Sequence, residues 1–420
     1  MTGNEPTGPN PNDPNDPFGL FGNPEQMAAA MRQFADMLSA QAQAAKSGEA
    51  QGPVNWEMAK NLARHAVSAE GDPSLTDAEK RSTVESLRLA DLWLDAATEL
   101  PAATSAPEAW SRSEWIEKTV PVWRQLCDPV AARMVDTMGS AMGQDLPSEV
   151  QAMAGSLLGM VRQMGSMMVG GQIGQALGEL AREVVGSTDI GLPLTTNPAL
   201  VPSGVKRFGE GLEIPEEEIR LYLALREAAH HRLFQHVPWL RSHLLGAVEE
   251  YARGITVDLS GLEQAFAGMD LSNPEQIQEA LSSGALLKPE ETERQKAALA
   301  RLETALALVE GWVATVVDDA AEGRLPSAGA LAETVRRRRA SGGPAERTFE
   351  TLVGLELRPR RLREAAALWN AVKADRGVEG RDALWGHPDL MPTSEDLDDP
   401  EAFVRRGGGD WDISALDDDK

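Results

Sequence analysis

The sequence predicts a mainly α protein with little or no sheet, and three observations lead there. Apolar residues recur at three- and four-residue spacing along most of the chain. Helix-start signals, a first-turn Pro or an acidic first turn, recur between those stretches. Strand-like alternation is confined to 255–259, ITVDL. No internal repeat is found.

Residues 1–22 are a Pro/Asn/Asp/Gly tract that cannot bury enough apolar surface to offset its ordering entropy, and are expected to be disordered. Within 23–52, Asn23 and Pro24 start an amphipathic helix over 24–39, and 40–52 reads as a linker. Met27, Met31, Phe34 and Leu38 form one stripe, which either docks on the protein's own body or enters a groove of a protein partner. The main domain is expected over 53–400. Residues 401–420 are expected to be an acidic disordered tail, the end of a frayed stretch from 389.

From 53 to about 145 the pattern is helical, with Asp77 capping a stretch that ends near Leu100. Pro101, Pro107 and Pro121 punctuate the chain beyond that point. Over 148–186, Gly155 and Gly159, then Gly170, Gly174 and Gly178, recur four apart, which gives a helix a flat ridge without Cβ atoms. Each glycine costs about 1 kcal/mol inside a helix, so tight packing of a buried helix or helical pair must compensate. Pro215 opens the next helix, with Glu216, Glu217 and Glu218 complementing its dipole, and it runs to about His236. Pro238 starts another, which Gly254 ends. A long helix is expected over 291–322, and shorter ones over 326–341, 344–354 and 359–375.

The 420 residues carry 40 Lys plus Arg against 65 Asp plus Glu, a formal charge of −25. Nucleic-acid binding requires a basic face, and so does docking on an anionic leaflet, so both are excluded. The nearest approach to a membrane span, 163–178, is sixteen residues with five Gly and three Gln, too short to cross a bilayer. No secretory signal is visible, and the expectation is a soluble cytoplasmic protein. The single cysteine, Cys127, excludes an intramolecular disulfide and a Cys-based zinc cluster and reads as a small buried apolar residue. There is no G-x-S-x-G elbow, no phosphate loop and no dinucleotide fingerprint after a strand.

Histidine placement carries the chemical information. Four of six histidines, His230, His231, His236 and His243, fall within fourteen residues. Clustered imidazoles on adjoining helices are a common way to hold a cation. Glu227 stands three residues before His230. In an HExxH helix two His four apart bind zinc, and the Glu beside the first polarises the bound water. This segment reads REAAH, with Arg226 where the first ligand should be, and a guanidinium has no lone pair to offer a metal.

The run REAAHHRLFQHVPWLRSHLLGAVEEYARGI resembles the core of the actinobacterial zincin-like metallopeptidase family of zinc-dependent hydrolases. GGQIGQALGELAREVVGSTDIGLP, LALVEGWVATVVDDA, LRPRRLREAAALWNAV and DALWGHPDLMPTSEDLDDP agree with it, and the resemblance covers roughly residues 50–405. It implies a zincin-like helical fold, a zinc cofactor, and peptide or amide hydrolysis acting on a peptide or protein substrate. Carried over residue by residue, Glu227 is the general base, His230 the second ligand and Glu310 of the E-G motif the third. Arg226 departs from the pattern.

Glu310 also stands out physically. It interrupts an apolar run from Ala305 to Val313, so it either faces water at a helix edge or is buried against Arg226, His230 or a metal. Two models compete. In one, His230 and Glu310 keep a metal, His231 or His236 replaces the lost ligand, and Glu227 acts on bound water. In the other, the Arg226 guanidinium fills the metal's place and pairs with Glu227 or Glu310. The corresponding functions are a metal-dependent hydrolase, or a non-catalytic zincin-fold protein acting in protein–protein interaction. His243 is a candidate outer partner of the site or a core residue. Trp239 is expected to pack the two His-bearing helices together. The run Arg336–Arg339 reads as a helix end or an intramolecular partner for acids.

Overall fold

Asn55 starts the first described helix, α1 (Trp56–Ala69), by accepting the Met58 N–H on its side chain at 3.0 Å. The structure is a computed structural model and describes residues 52–143, 151–253, 292–340 and 361–407. The expected helices at 24–39 and 344–354, the strand at 255–259, and the termini 1–22 and 408–420 lie outside the described residues.

Helix α2 (Asp77–Leu94) is capped by Thr76 rather than Asp77. Thr76 and Glu79 exchange bonds in a capping box, and the helix stops six residues before Leu100. After the two-residue strand β1 (Glu108–Ala109), helix α3 (Arg112–Gly143) runs straight through Pro121 and Pro129. Packing overrides the proline penalty there, because Trp115, Ile116, Val120, Trp123, Leu126 and Val130 are buried on both sides of the two prolines. Helix α4 (Gln151–Glu183) bears the glycine ridge, and α1 lies along it. A Cβ on Gly170 would sit 2.8 Å from the Asn55 carbonyl oxygen, and one on Gly174 would sit 2.7 Å from that of Ala59. The close approach read from the spacing is therefore present at these positions.

Strand β2 (Ala199–Leu200) pairs in parallel with β1, Glu108 opposite Ala199. Then come α5 (Pro202–Phe208), α6 (Glu216–His236), α7 (Pro238–Arg253) and α8 (Glu293–Ala321), the last opened by a Thr292–Gln295 capping box. Helix α9 (Ala328–Ala340) comes next, and then α10 (Leu362–Ala383), two helical stretches either side of non-helical Gly377, φ 72°, so that the first stops close to the expected 375. Among the described residues these two short strands are the only sheet, so the mainly α expectation holds.

The stretch from 389, expected to be frayed, is folded over its described part, 389–407. After a 3-10 turn (Pro388–Leu390), helix α11 (Pro400–Gly407) packs on α10, with Leu397 buried and Phe403 and Val404 packed against the core. Its acids are neutralised locally: Asp398 meets Arg361, and Asp396 meets Arg406. No described helix is long and apolar enough to cross a membrane.

Two features set up the site. Helix α6 is buried continuously from Tyr222 to Leu233, and α8 is buried from Ala305 to Val313. Gly311 lets α10 press on α8, since a Cβ there would lie 2.7 Å from the Ala365 Cβ and 2.8 Å from its carbonyl carbon. That contact fixes the rotation of α8 at Glu310, the adjacent residue.

Candidate metal centre and its ion network

Within the buried run of α6 are five polar side chains, Arg226, Glu227, His230, His231 and Arg232. At about 100° per residue they fall on three faces. Arg226 and His230 share one, Glu227 and His231 the next, and Arg232 a third. Each face has its own partners, as buried polar groups require.

The first face meets α8. Arg226 Nη2 donates to Glu310 Oε2 at 2.5 Å, and His230 Nε2 lies 3.1 Å from Glu310 Oε1. His230 Nδ1 lies 2.8 Å from the Arg226 carbonyl oxygen. A second guanidinium comes from α9, where Arg339 Nη2 sits 2.6 Å from Glu310 Oε1. Glu310 is 4% exposed and His230 2%. Burial pushes the Glu310 carboxyl up, but the charges of Arg339, Arg226 and His230 outweigh it and hold it well below the usual carboxylate range. For Arg226, burial works against the charge while Glu310 and then Tyr222 favour it, and the balance raises its pKa.

The arginine run at the end of α9 is pinned over this face. Arg338 Nη2 lies 3.1 Å from Asp189 Oδ2 and donates to the Glu183 carbonyl at 2.5 Å, while Arg339 Nη2 also donates to the Asp189 carbonyl at 3.0 Å. Arg336 and Arg337 pair with Glu333. The run thus partners acids of the same chain, and cations in the last turn also suit the helix dipole. Gly191, at φ +76°, turns the 187–191 loop back so that its Cα faces Glu310.

The second face meets the loop between α4 and β2. Glu227 Oε1 accepts from the backbone N–H groups of Ser187 and Ala199, both at 3.1 Å, and from the Ser187 hydroxyl. Oε2 accepts from Thr188 N at 3.2 Å and Thr188 Oγ1 at 2.6 Å. His231 Nε2 lies 3.3 Å from Glu227 Oε1 and 2.8 Å from Ser187 Oγ. Burial raises the Glu227 carboxyl, but His231, Ser187 and Thr188 overcome it and bring it down to about 2. The carboxylate expected as a general base thus accepts from five donors of the 187–199 segment. Gly186 permits the approach, since a Cβ there would lie 2.7 Å from Glu227 Oε2. Ser187, His231 and Glu227 are not arranged as a nucleophilic triad: the Glu bonds the same ring nitrogen as the Ser, and Ser187 is fully buried.

Arg232, on the third face, donates from Nε to Asp91 Oδ1 and from Nη2 to Asp95 Oδ1, both at 2.7 Å, and from Nη1 to the Leu100 carbonyl. The sequence places His230 and Glu310 together, and so does the structure. The two candidate replacement ligands go elsewhere: His231 to Ser187, and His236 to the Ala102 carbonyl at 3.4 Å near the surface. His243 stacks edge-on against Trp239, ring centroids 5.6 Å apart, and Trp239 also stacks on Trp385. Sequence reasoning read Arg339 as part of a run partnering acids of the same chain without naming Glu310, and missed Asp189 and the Ser187–Thr188 clasp.

Zinc requires lone pairs from three or four nitrogen, oxygen or sulfur donors. One imidazole and one carboxylate converge here, and Arg226 in the first motif position brings only N–H groups. Both Glu310 oxygens already accept from guanidinium groups. Among the described residues no three or more His, Cys, Asp or Glu are grouped to hold a metal ion. The residues present do not fit the metal.

Fold and site together define a helical protein in which the helix carrying an x-Glu-x-x-His motif faces a carboxylate on a second, long helix. A family model described as zincin-like metallopeptidase matches residues 54–404, and the chain belongs to that family. A crystal structure of a protein from Chloroflexus aurantiacus, described as a hydrolase candidate with a novel fold, is similar with a TM-score of 0.59. It is 21% identical, over 84% of this chain and 98% of that one, a likeness of fold. No curated protein matches the chain.

Proposed function

We propose that this chain is a metal-free, non-hydrolytic member of the zincin-like family that acts through protein interaction. One observation carries the first part: Arg226 stands in the first motif position and closes a 2.5 Å ion pair on Glu310, the family's third ligand position. Glu227, engaged by five donors of the 187–199 segment and by His231, supports the same reading, because a water-activating base needs a free lone pair directed at substrate. Binding is the role left to an acidic chain whose central polar site is sealed by its own ion pairs.

A second reading, zinc-dependent hydrolysis of peptide or amide bonds, is favoured by the family and by the convergence of His230 on Glu310. Metal analysis of untagged protein separates the two. The metal-free reading expects no zinc above background and no peptidase activity on adding zinc. Near-stoichiometric zinc that disappears in His230→Ala refutes it.

A further inference from the structure

Glu310 meets two guanidinium groups from two different helices, and the sequence motif accounts for only one of them. Arg226 of α6 takes Oε2 at 2.5 Å, and Arg339 of α9 takes Oε1 at 2.6 Å. We infer that Arg226 and Arg339 together stand in for a divalent cation, and that Arg339 by itself suffices to keep a metal off Glu310.

The charge count is the first support. A zinc ion brings two positive charges to a buried carboxylate, and here the two guanidinium groups by themselves bring the same total, one to each oxygen. Attachment is the second. Arg339 does not dangle into the site, because its Nη2 also donates to the Asp189 carbonyl at 3.0 Å, and its neighbour Arg338 grips Asp189 Oδ2 and the Glu183 carbonyl. The α9 terminus is thus fixed to the 183–189 segment independently of Arg226. Removing Arg226 leaves Arg339 in place, with one Glu310 oxygen still bonded to a fixed cation. Electrostatics is the third. A metal entering beside a fixed guanidinium meets like-charge repulsion in a water-poor site, where such repulsion is weakly screened.

The inference rests on the metal-free reading above, and it makes a prediction that reading alone does not. Restoring the motif with Arg226→His creates the His-Glu-x-x-His sequence, and motif logic expects zinc to bind. The structure expects Arg226→His to stay empty, Arg339→Gln to stay empty, and Arg226→His/Arg339→Gln to take up about one zinc per chain, the stoichiometry of a three-ligand site with water in the fourth position. The readout is zinc content after dialysis of untagged full-length protein against zinc, together with the zinc-induced shift in Tm. His230→Ala added to the double variant should abolish both.

Stoichiometric zinc in Arg226→His alone overturns the role of Arg339, and a folded double variant that binds none overturns the inference as a whole. Zinc in the wild type instead sinks the metal-free reading, a separate outcome. Arg226→His/Arg339→Met serves if the glutamine version does not fold. If neither folds, a double-mutant cycle between Arg339→Gln and Glu310→Gln, read by urea unfolding, decides. An absence of coupling between the two overturns the inference.

Discussion

Replacing Glu227 by Gln distinguishes a loop-holding carboxylate from a catalytic base. The wild-type carboxylate accepts three backbone N–H groups, from Ser187, Thr188 and Ala199, and two hydroxyls, with His231 alongside. Gln keeps one acceptor oxygen and turns an N–H₂ group toward donors, so at least one buried N–H loses its partner. In the folded chain the Glu227 carboxyl titrates at about 2, against an ordinary 4.5. Because the folded value is the lower one, the stabilisation is complete above pH 4.5 and is lost as pH falls toward 2. That difference corresponds to about 3 kcal/mol. Urea unfolding followed by tryptophan fluorescence at pH 7 should show Glu227→Gln less stable by about 3 kcal/mol, the range expected for leaving buried partners of a charge unpaired. At pH 3.5 the gap should narrow by about 1 kcal/mol, since the wild type has by then lost part of its advantage. A general base behaves in the opposite way, with activity lost and stability nearly unchanged. Equal stability of variant and wild type at pH 7 refutes the loop-holding role.

Three further outcomes are expected from the same geometry. Glu310→Ala leaves Arg226 and Arg339 buried without their shared counter-charge and should cost about 3–5 kcal/mol in chemical denaturation; a loss under about 1 kcal/mol would mean the guanidinium groups find water. Gly311→Ala puts a methyl 2.7–2.8 Å from Ala365 atoms on α10 and should lower stability by about 1–3 kcal/mol, visible as a lower Tm. Cys127 is 1% exposed, and burial, then Asp128, pushes its thiol up, so mass spectrometry should find it unmodified by iodoacetamide at pH 8 in native protein and alkylated in urea. Rapid native labelling would contradict the packing of α3.

The helices were legible because their periodicity and start signals are local properties, and the glycine ridge was legible because spacing alone puts it on one face. Pro121 misled because the burial of Trp115 and Trp123 around it is a tertiary effect that propensity does not register. At the site, the His230–Glu310 pair could be read from the motif and from a carboxylate interrupting an apolar run. The direction of Glu227 could not. A motif gives residue type and helical phase, but which neighbour fills the adjoining face depends on a loop some forty residues earlier. Arg339 lies 29 residues beyond Glu310, on another helix, and its only trace in the sequence was a dense basic run in an acidic chain. Such a run signals that buried acids need counter-ions, without saying which acids.

The three-sided wiring of α6 bears on how firmly the helix is held in place. A screw motion of the helix by a single residue would tear Arg232 from Asp91, Glu227 from the Ser187 segment and Arg226 from Glu310 in one stroke. Two of those anchorages owe nothing to a metal. The helix therefore keeps its register whichever cation sits opposite Glu310, because two of its three sides are moored by contacts of their own.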